Sequence, residues 1–401
     1  MDLFEPFLRR VVHAGHLTII DANGKRHSVE GAPIADLNPV TIRLSDPSLH
    51  WRIPFNPSVT VGEAYMDGTL TIEEGTLYDF LALASDNLSR GPNCALMGER
   101  WTAFMKRLQQ FNLLAASRRN VAHHYNLSED FYSLFLDADR QYSCAYFPES
   151  GMTLEEAQLA KKRLIMRKLL LEPGLSVLDI GCGWGGLALS MARDYDVEVT
   201  GITLSVEQLK VATRRAEEEG LSRRVKFLLT DYRELPGRFD RIVSVGMFEH
   251  VGVGHFGTFF RRLRALLKEN GVALLHSMGR SEGPGVTNRW IRKYIFPGGY
   301  IPALSEVLPS IERSGLLVTD IEILRRHYAR TLRLWAERFA QRRAEAAAIY
   351  DERFCRMWEF YLAGSEAAFR HDGLMNFHLQ LAYPDAPLPR SRDYMLGSAR
   401  R

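Results

Sequence analysis

The stretch Val177-Leu178-Asp179-Ile180-Gly181-Cys182-Gly183-Trp184-Gly185-Gly186 decides how this chain folds. An apolar strand carries an acid near its end and then runs into a glycine-rich turn. Gly181, Gly183 and Gly185 are predicted to let the backbone pass close under a bulky ligand, because a Cβ there would collide or forbid the needed dihedrals. A helix predicted from Leu187 to Arg193 aims its positive N-terminal end at the same place. The pattern predicts a ligand with a nucleoside and a negative group.

Gly181, Gly183 and Gly186 also satisfy G-x-G-x-x-G, the weak signature of a dinucleotide site. Such a site wants an acid at the tip of the second strand, about 20 residues on, to hold the ribose. That strand, from Val197 to Ile202, leads instead into Thr203-Leu204-Ser205. The acid stands before the glycines, at Asp179, as in the S-adenosylmethionine sites of methyltransferases. Methyltransferase is therefore preferred over dehydrogenase. A glycine turn closing an ordinary βα unit does not explain Asp179 and three glycines together.

The 401 residues support two or three domains, each with a real core, and the apolar fraction of 46% is that of a globular protein. A net charge of +3 implies no global field for nucleic acid. Basic residues do accumulate at Arg261, Arg262, Arg264 and Lys268, and again at Arg325, Arg326, Arg330, Arg333, Arg338, Arg342 and Arg343. Solvated helix faces explain any single one; the accumulation allows contact with anionic lipid. Cys94, Cys144, Cys182 and Cys355 show neither metal spacing nor a disulfide framework, which suits a reducing cytoplasm. No apolar run approaches the roughly 20 residues that cross a bilayer, and no signal-peptide core is expected at the N-terminus. Leu3, Phe4, Phe7, Leu8, Val11 and Val12 form one helical stripe, read as core rather than as a membrane anchor.

Three regions separate along the chain. Residues 1–115 mix short strands, Gly15 to Ile20 and Val40 to Leu44, with helices. A breaker cluster runs from Ser89 to Asn93 and a basic segment lies around Arg118-Arg119. From about 165 to 325, strand and helix alternate as a parallel, doubly wound sheet requires. Strands are predicted at Ser176 to Ile180, Val197 to Thr203, Val225 to Leu229, Arg241 to Val245, Val272 to His276 and Leu316 to Leu324. Ligands bind outside the carboxyl ends of such strands, which singles out Asp179, Thr203, Asp231, Gly246 to His250, and His276 to Met278. Beyond Tyr328 the chain reads as helical, with Leu332, Trp335, Phe339, Trp358, Tyr361 and Phe369 packing over the sheet edge.

A specific resemblance emerges from His123-His124-Tyr125-Asn126, Asp130-Phe131-Tyr132, Tyr142-Ser143-Cys144-Ala145-Tyr146-Phe147 and Met152-Thr153-Leu154-Glu155-Glu156-Ala157-Gln158. It continues through the glycine turn, Gly201 to Gln208, Ser244 to Gly252, Tyr294-Ile295-Phe296-Pro297-Gly298-Gly299, and Tyr328, Thr331 and Leu332. In order and over about residues 115–370, these segments resemble the cyclopropane-fatty-acyl-phospholipid synthase family, which includes the mycolic acid cyclopropane synthases. The resemblance implies an α/β fold, a Rossmann-like class I methyltransferase sheet with helical additions. Residues 116–401 would be the catalytic domain and residues 1–115 a smaller N-terminal α+β domain associated with lipid.

The resemblance also implies chemistry. Family members attach the methyl of S-adenosyl-L-methionine across a cis double bond of an unsaturated phospholipid acyl chain. Tyr142, Ser143, Asp179, Gly181, Gly183, Gly185, Thr203, Leu204, Ser205, Gln208, Asp231 and Tyr232 would hold the cofactor. For Thr203 and Ser205, helix capping is the plain alternative. A bicarbonate ion would act as base at Cys144, Glu249, His276, Met278 and Tyr328, with Glu249 accepting its hydroxyl hydrogen and His276 and Tyr328 donating to its oxygens. Taken alone, Glu249 is a helix start, His276 a core histidine and Tyr328 a packed tyrosine.

Three departures stand out: Asn126 where an Asp is usual, Met278 for an Ile, and Ser365 where many relatives carry a cysteine. The resemblance further implies a cytoplasmic homodimer that meets the inner face of the membrane peripherally and binds no nucleic acid. A product that is methyl-branched, methylene or a furan precursor stays open as the alternative to a cyclopropane.

Overall fold

The computed structural model describes residues 4–90 and 127–396. His123 to Asn126, Cys94 and Arg118-Arg119 lie outside the described residues. The chain divides into two compact units, one of Met1–Met105, Thr287–Pro297 and Ala329–Leu374, the other of Lys106–Val286, Gly298–Tyr328 and Met375–Arg401.

The first unit holds a four-stranded sheet in the order β2-β1-β3-β4, from β1 (His16–Ile20), β2 (Arg26–Glu30), β3 (Val40–Leu44) and β4 (Leu70–Glu74). Strand β1 pairs antiparallel with β2 and parallel with β3, and β3 pairs antiparallel with β4. The helix Phe4–Val11 turns Phe4 and Leu8 into this unit's core beside Leu17, Ile19, Val40 and Ile42, so the N-terminal stripe is core as expected. The helix Glu352–His371 belongs to the same unit. Asp351 caps it by accepting the Phe354 N–H at 2.7 Å, and it packs on the helices Pro57–Met66 and Leu77–Arg90. Its residues 329–374 thus join the N-terminal residues by packing, although they were expected at the edge of the large sheet.

The second unit is built on a seven-stranded sheet in the order β10-β11-β9-β8-β5-β6-β7. The strands are β5 (Ser176–Ile180), β6 (Glu198–Thr203), β7 (Val225–Leu229), β8 (Phe239–Val245), β9 (Leu267–Arg280), β10 (Leu317–Ile323) and β11 (Leu374–Ala382). Pairings β5/β6, β6/β7, β5/β8 and β8/β9 are parallel, and β10/β11 is antiparallel. Val177, Leu178 and Ile180 are each at most 2% exposed. A strand covered on both faces needs such a continuous apolar run. From β5 the chain winds outward to β6 and β7, then crosses back to β8 and β9. The carboxyl ends of β5 and β8 therefore form the switch point where ligands enter such sheets.

The six predicted strands are all present. The seventh, β11, was expected to be helix. Its sequence alternates Met375, Phe377, Leu379 and Leu381 with Asn376, His378 and Gln380, the period of a strand. The alternation is legible in the sequence but was passed over for the helical run before it; what the sequence does not show is that Asn376, His378 and Gln380 are buried rather than solvated.

Candidate active site

A cavity opens at the carboxyl ends of β5, β6 and β8. It is lined by Tyr142, Ser143, Asp179, Gly181, Gly183, Thr203, Leu204, Gln208, Asp231 and Tyr232, all predicted from the sequence. Gly185 and Ser205 do not line it. A Cβ on Gly185 would sit 2.7 Å from the Phe227 ring and 3.1 Å from Ala212, so this glycine serves helix-to-sheet packing. Ser205 caps the helix Val206–Glu218, its Oγ accepting the Gln208 N–H at 3.3 Å. All three glycines of the turn have positive φ, the backbone that the expectation called for, although at Gly185 the close neighbour is the protein's own ring. Gly181 has φ +84° and a Cβ there would meet Met247 at 2.9 Å, whereas Gly183, at φ +54°, faces open space. Of these three glycines Gly183 combines an open face with a backbone that disfavours any side chain, as does Gly246 across the same cavity.

Polar groups reach the cavity already organised. Thr203 Oγ1 donates to Gln208 Oε1 at 2.8 Å and accepts the Ser205 N–H at 3.1 Å. Asp231 takes a two-pronged ion pair from Arg233, at 2.8 Å to Nε and 2.7 Å to Nη2. Lys161 is fully buried and donates to Ser143 Oγ at 2.8 Å and to Gln141 Oε1 at 2.5 Å. Burial lowers its ammonium to about 8, against the pull of Asp137. Asp179 is buried with Oδ2 unpartnered among the described residues, and burial raises its carboxyl to about 7 while Lys161 opposes the shift.

Met247 and His250, within the strand end Gly246 to His250 singled out from the sequence, also line the cavity, and sequence reasoning missed Arg140, Gln141, Trp184 and Arg233. His250 is held near 4 by burial, so it is a neutral imidazole at ordinary pH. Trp184 and Tyr142 both stack edge-on against Tyr132, with centroids 4.9 and 5.4 Å away, giving the cavity an aromatic wall. The resemblance covered Tyr142 and Tyr132 individually, but their contact depends on the fold.

Glu249, His276, Met278, Cys144 and Tyr328 are not among the residues that line the cavity, although Cys144 directly follows Ser143 and Glu249 directly precedes His250, which do. They are joined to it through backbone. The Gly246 N–H donates to the His276 carbonyl at 3.0 Å, and Val245 pairs with His276 in the β8/β9 register. The Met278 N–H donates to Glu249 Oε1 at 2.6 Å, and the Tyr300 N–H to the Glu249 carbonyl at 2.9 Å. Glu249 Oε2 has no partner among the described residues, and burial raises this carboxyl above its ordinary range. Cys144 is fully buried, its thiol pushed far up by burial and touched by the Asn376 side chain. Tyr328 is buried near the start of the helix Arg325–Gln341.

His276 is fully enclosed by polar partners on β11. Its Nδ1 lies 2.7 Å from His378 Nε2 and its Nε2 lies 2.7 Å from Asn376 Nδ2. Each ring nitrogen thus has a polar neighbour at hydrogen-bond distance. Neither Asn376 nor His378 was singled out from the sequence, because β11 was not read as a strand.

Residues 114–379 match the family described as Mycolic acid cyclopropane synthetase. The chain is 40% identical over 376 residues to the "Probable fatty acid methyltransferase" of Pseudomonas putida, covering 90% of this chain and 93% of that one. It is 40% identical over 342 residues to the cyclopropane-fatty-acyl-phospholipid synthase of Escherichia coli (strain K12), covering 85% and 87%. The crystal structure of mycolic acid cyclopropane synthase CmaA1 complexed with SAH and CTAB superposes with a TM-score of 0.63 at 35% identity, covering 66% of this chain and 97% of that one. With a Rossmann-like sheet, a glycine turn at its switch point and a match over these residues, the chain belongs to the mycolic acid cyclopropane synthetase family and is an S-adenosylmethionine-dependent methyltransferase of the cyclopropane-synthase type.

Proposed function

We propose that the protein transfers the methyl carbon of S-adenosyl-L-methionine to the cis double bond of an unsaturated phospholipid acyl chain and closes a cyclopropane ring, with a bound bicarbonate as base. The observation that carries this reading is the buried carboxyl of Glu249. One oxygen is fixed by the Met278 N–H, the other has no hydrogen-bond partner of good geometry among the described residues although the Ser277 side chain lies close, and the next residue, His250, lines the cavity. A buried polar atom left without a partner costs about 1–3 kcal/mol, so a retained one calls for a ligand.

S-Adenosylmethionine supplies an electrophilic methyl when bound. An alkene is a poor nucleophile, so the protein must hold the two in line and dry. Tyr142, Thr203, Gln208 and the Asp231–Arg233 pair are organised before any ligand arrives, which limits the cost of binding. In this reading the Glu249 carboxyl offers an acceptor to a small anion with a hydroxyl, and Cys144 and Met278 contribute mainly backbone groups, so that their side chains are replaceable. Bicarbonate bound there supplies the base for the proton that leaves before ring closure. Tyr328 and His276, in this reading, donate to the oxygens of the same ion.

Contact with the bilayer is supported by Trp51 and Phe55, one turn apart on the helix Leu49–Phe55 and 59% and 77% exposed. The arginine cluster supports it less than its composition suggests. Arg333, Arg342 and Arg343 are held in ion pairs with Glu366, Glu345, Glu352 and Glu359. Among the described residues no helix is long and apolar enough to cross a membrane. A peripheral enzyme on the cytoplasmic leaflet, acting as a homodimer, completes the proposal.

The experiment is incubation of the purified protein with labelled cofactor and liposomes of monounsaturated phospholipid, followed by mass analysis of the fatty acids. A gain of one CH2 with loss of the alkene is the expected result. Retention of an alkene, or addition of further hydrogen, gives the methylene or methyl-branched alternative. No labelled acyl product overturns the reading. Sedimentation with anionic and neutral liposomes tests the surface, and sedimentation equilibrium tests the dimer.

A further inference from the structure

Residues 137–143 run as a strap along one side of the cavity. Arg140, Gln141, Tyr142 and Ser143 line it, whereas Asp139, Lys162 and Arg215 are not among the lining residues. The strap begins with a turn of its own. Asp137 accepts the Arg140 N–H on its carbonyl and the Gln141 N–H on Oδ1, each at 2.8 Å, and Arg140 takes a left-handed φ of +56°. A residue other than glycine keeps such a backbone only where its surroundings fix it.

Three helices supply those surroundings. From the helix Leu154–Lys168, Gln158 Nε2 donates to the carbonyls of Gln141 and Ser143 at 3.2 and 3.0 Å. On the same helix, Lys162 Nζ donates to Asp139 Oδ2 at 2.6 Å and to Ser190 Oγ at 2.8 Å, on the helix Gly186–Tyr195. From the helix Val206–Glu218, Arg215 Nη2 donates to Asp139 Oδ1 at 2.5 Å and Nη1 to the Trp184 carbonyl at 3.0 Å. Each oxygen of Asp139 thus holds one cation. Burial would raise this carboxyl, yet Lys162 and Arg215 keep it below its ordinary range. The carboxylate also lies against Gly186, where an added Cβ would stand 2.5 Å from Oδ1 and 2.6 Å from Oδ2. The last glycine of the G-x-G-x-x-G pattern therefore makes room for the protein's own strap. A carboxylate beside the first turn of a helix is favoured by the helix dipole as well.

We propose that Asp139 and Lys162 are positioning residues for the cofactor, an ion pair that seats the strap before S-adenosylmethionine arrives, so that Tyr142 and Ser143 meet it as a finished wall. The proposal rests on the reading of this cavity as the cofactor site, and not on the identity of the acyl substrate. With either ion lost, the other is left with an unmatched charge in buried surroundings and the strap loses its single seat. The wall must then be ordered at the moment of binding, and apparent affinity falls by the fraction of molecules whose strap is seated. Neither ion lines the cavity, so the loss falls on cofactor affinity far more than on the methyl-transfer step.

The test compares full-length Asp139→Asn and Lys162→Met with the parent by calorimetric titration of S-adenosylhomocysteine, by thermal melts without ligand and in the labelled-liposome assay. Each variant should bind S-adenosylhomocysteine at least about tenfold more weakly and raise the KM for S-adenosylmethionine to match, with kcat lowered no more than about threefold. The double variant should bind no more weakly than the weaker single, because both changes remove the same contact. Lys162→Arg, which keeps a cationic donor, should bind within about threefold of the parent. Variants that melt earlier yet bind within about twofold of the parent overturn the proposal, since the pair is then structural only. Where a variant does not fold, hydrogen exchange of the peptide 139–143 in the unliganded parent decides. Slow exchange is expected, and a peptide that exchanges freely until S-adenosylhomocysteine is added overturns the proposal. Gly183→Val fills the open face of the cavity without touching the strap and tests the cavity reading separately. If it binds as the parent does, that reading fails and the proposal with it; if it loses binding while the ion-pair variants keep theirs, the proposal alone fails. The expected affinities in a protein that forms no acyl product would sink the acyl-chain reading and leave this one standing.

Discussion

The backbone N–H of Met278 donates to Oε1 of Glu249 at 2.6 Å, which fixes the carboxyl's orientation and leaves Oε2 unpartnered among the described residues. Glu249→Gln preserves the size of the side chain and the bond to Met278, but turns the unpartnered acceptor into a donor. Turnover should fall by about a hundredfold or more, while cofactor affinity stays within about threefold. Steady-state kinetics paired with calorimetric titration of S-adenosylmethionine separates the two. A collapse of cofactor binding would make Glu249 a structural residue.

Asp179 imposes a pH dependence on the unliganded protein. Its carboxyl moves from 3.8 to about 7 on folding because of burial, with Lys161 opposing. The folded state therefore holds a proton that the unfolded chain has released, and stability falls as pH rises between those two values. Asp179→Asn should flatten that fall and raise stability at pH 8 by a few kcal/mol, at about 1.4 kcal/mol per pKa unit. It should also weaken cofactor binding. Denaturant melts across the pH range check the sign; a variant as pH-sensitive as the parent would refute it.

Gly183 and Gly185 should part company. Gly185→Ala drives a Cβ to 2.7 Å from Phe227 at a φ of +84°, and should cost about 2–4 kcal/mol of stability. Gly183→Ala meets nothing within 4 Å and bears only the strain of its left-handed backbone, about 1 kcal/mol. Its effect should fall mainly on cofactor affinity. Thermal melts with and without S-adenosylhomocysteine distinguish them.

Cys144→Ala should leave turnover within about threefold of the parent, because burial keeps the thiol protonated and so not nucleophilic. The variant should also resist inactivation by thiol reagents no better than the parent, since Cys144 is fully buried. A folded but inactive Cys144→Ala would show that the thiol itself takes part.

Legibility followed periodicity and local turns. The β5 run, the glycine turn and the strands to either side could be placed from spacing alone, because strands buried on both faces must be apolar throughout. The cofactor segments at Asp179, Thr203 and Asp231 followed with them, since each lies at or just past a strand end, whereas Tyr142 and Ser143 came from the family resemblance. Strand β11 was passed over for the helical run before it, although its alternation is legible; that Asn376 and His378 find partners on β9 is hidden, because β9 lies a hundred residues away in sequence. The aromatic wall of Tyr132, Tyr142 and Trp184 escaped for the same reason of distance along the chain. Arg233 escaped because an arginine beside an acid on a loop looks like any solvated pair.

The chain's own order of residues determined the methyltransferase sheet, its switch point and the position of the cofactor acid, since these depend on period, turn chemistry and strand ends. Tertiary structure alone decided that Gly185 serves packing, that Ser205 serves a cap, and that His276 has a polar neighbour from β11 at each ring nitrogen. Each of those outcomes depends on which side chain from a remote strand fills the neighbouring space, and no local pattern encodes that. A buried hydrogen bond has to be closed by whatever the fold brings within 3 Å, so the partner is chosen in space and not along the sequence.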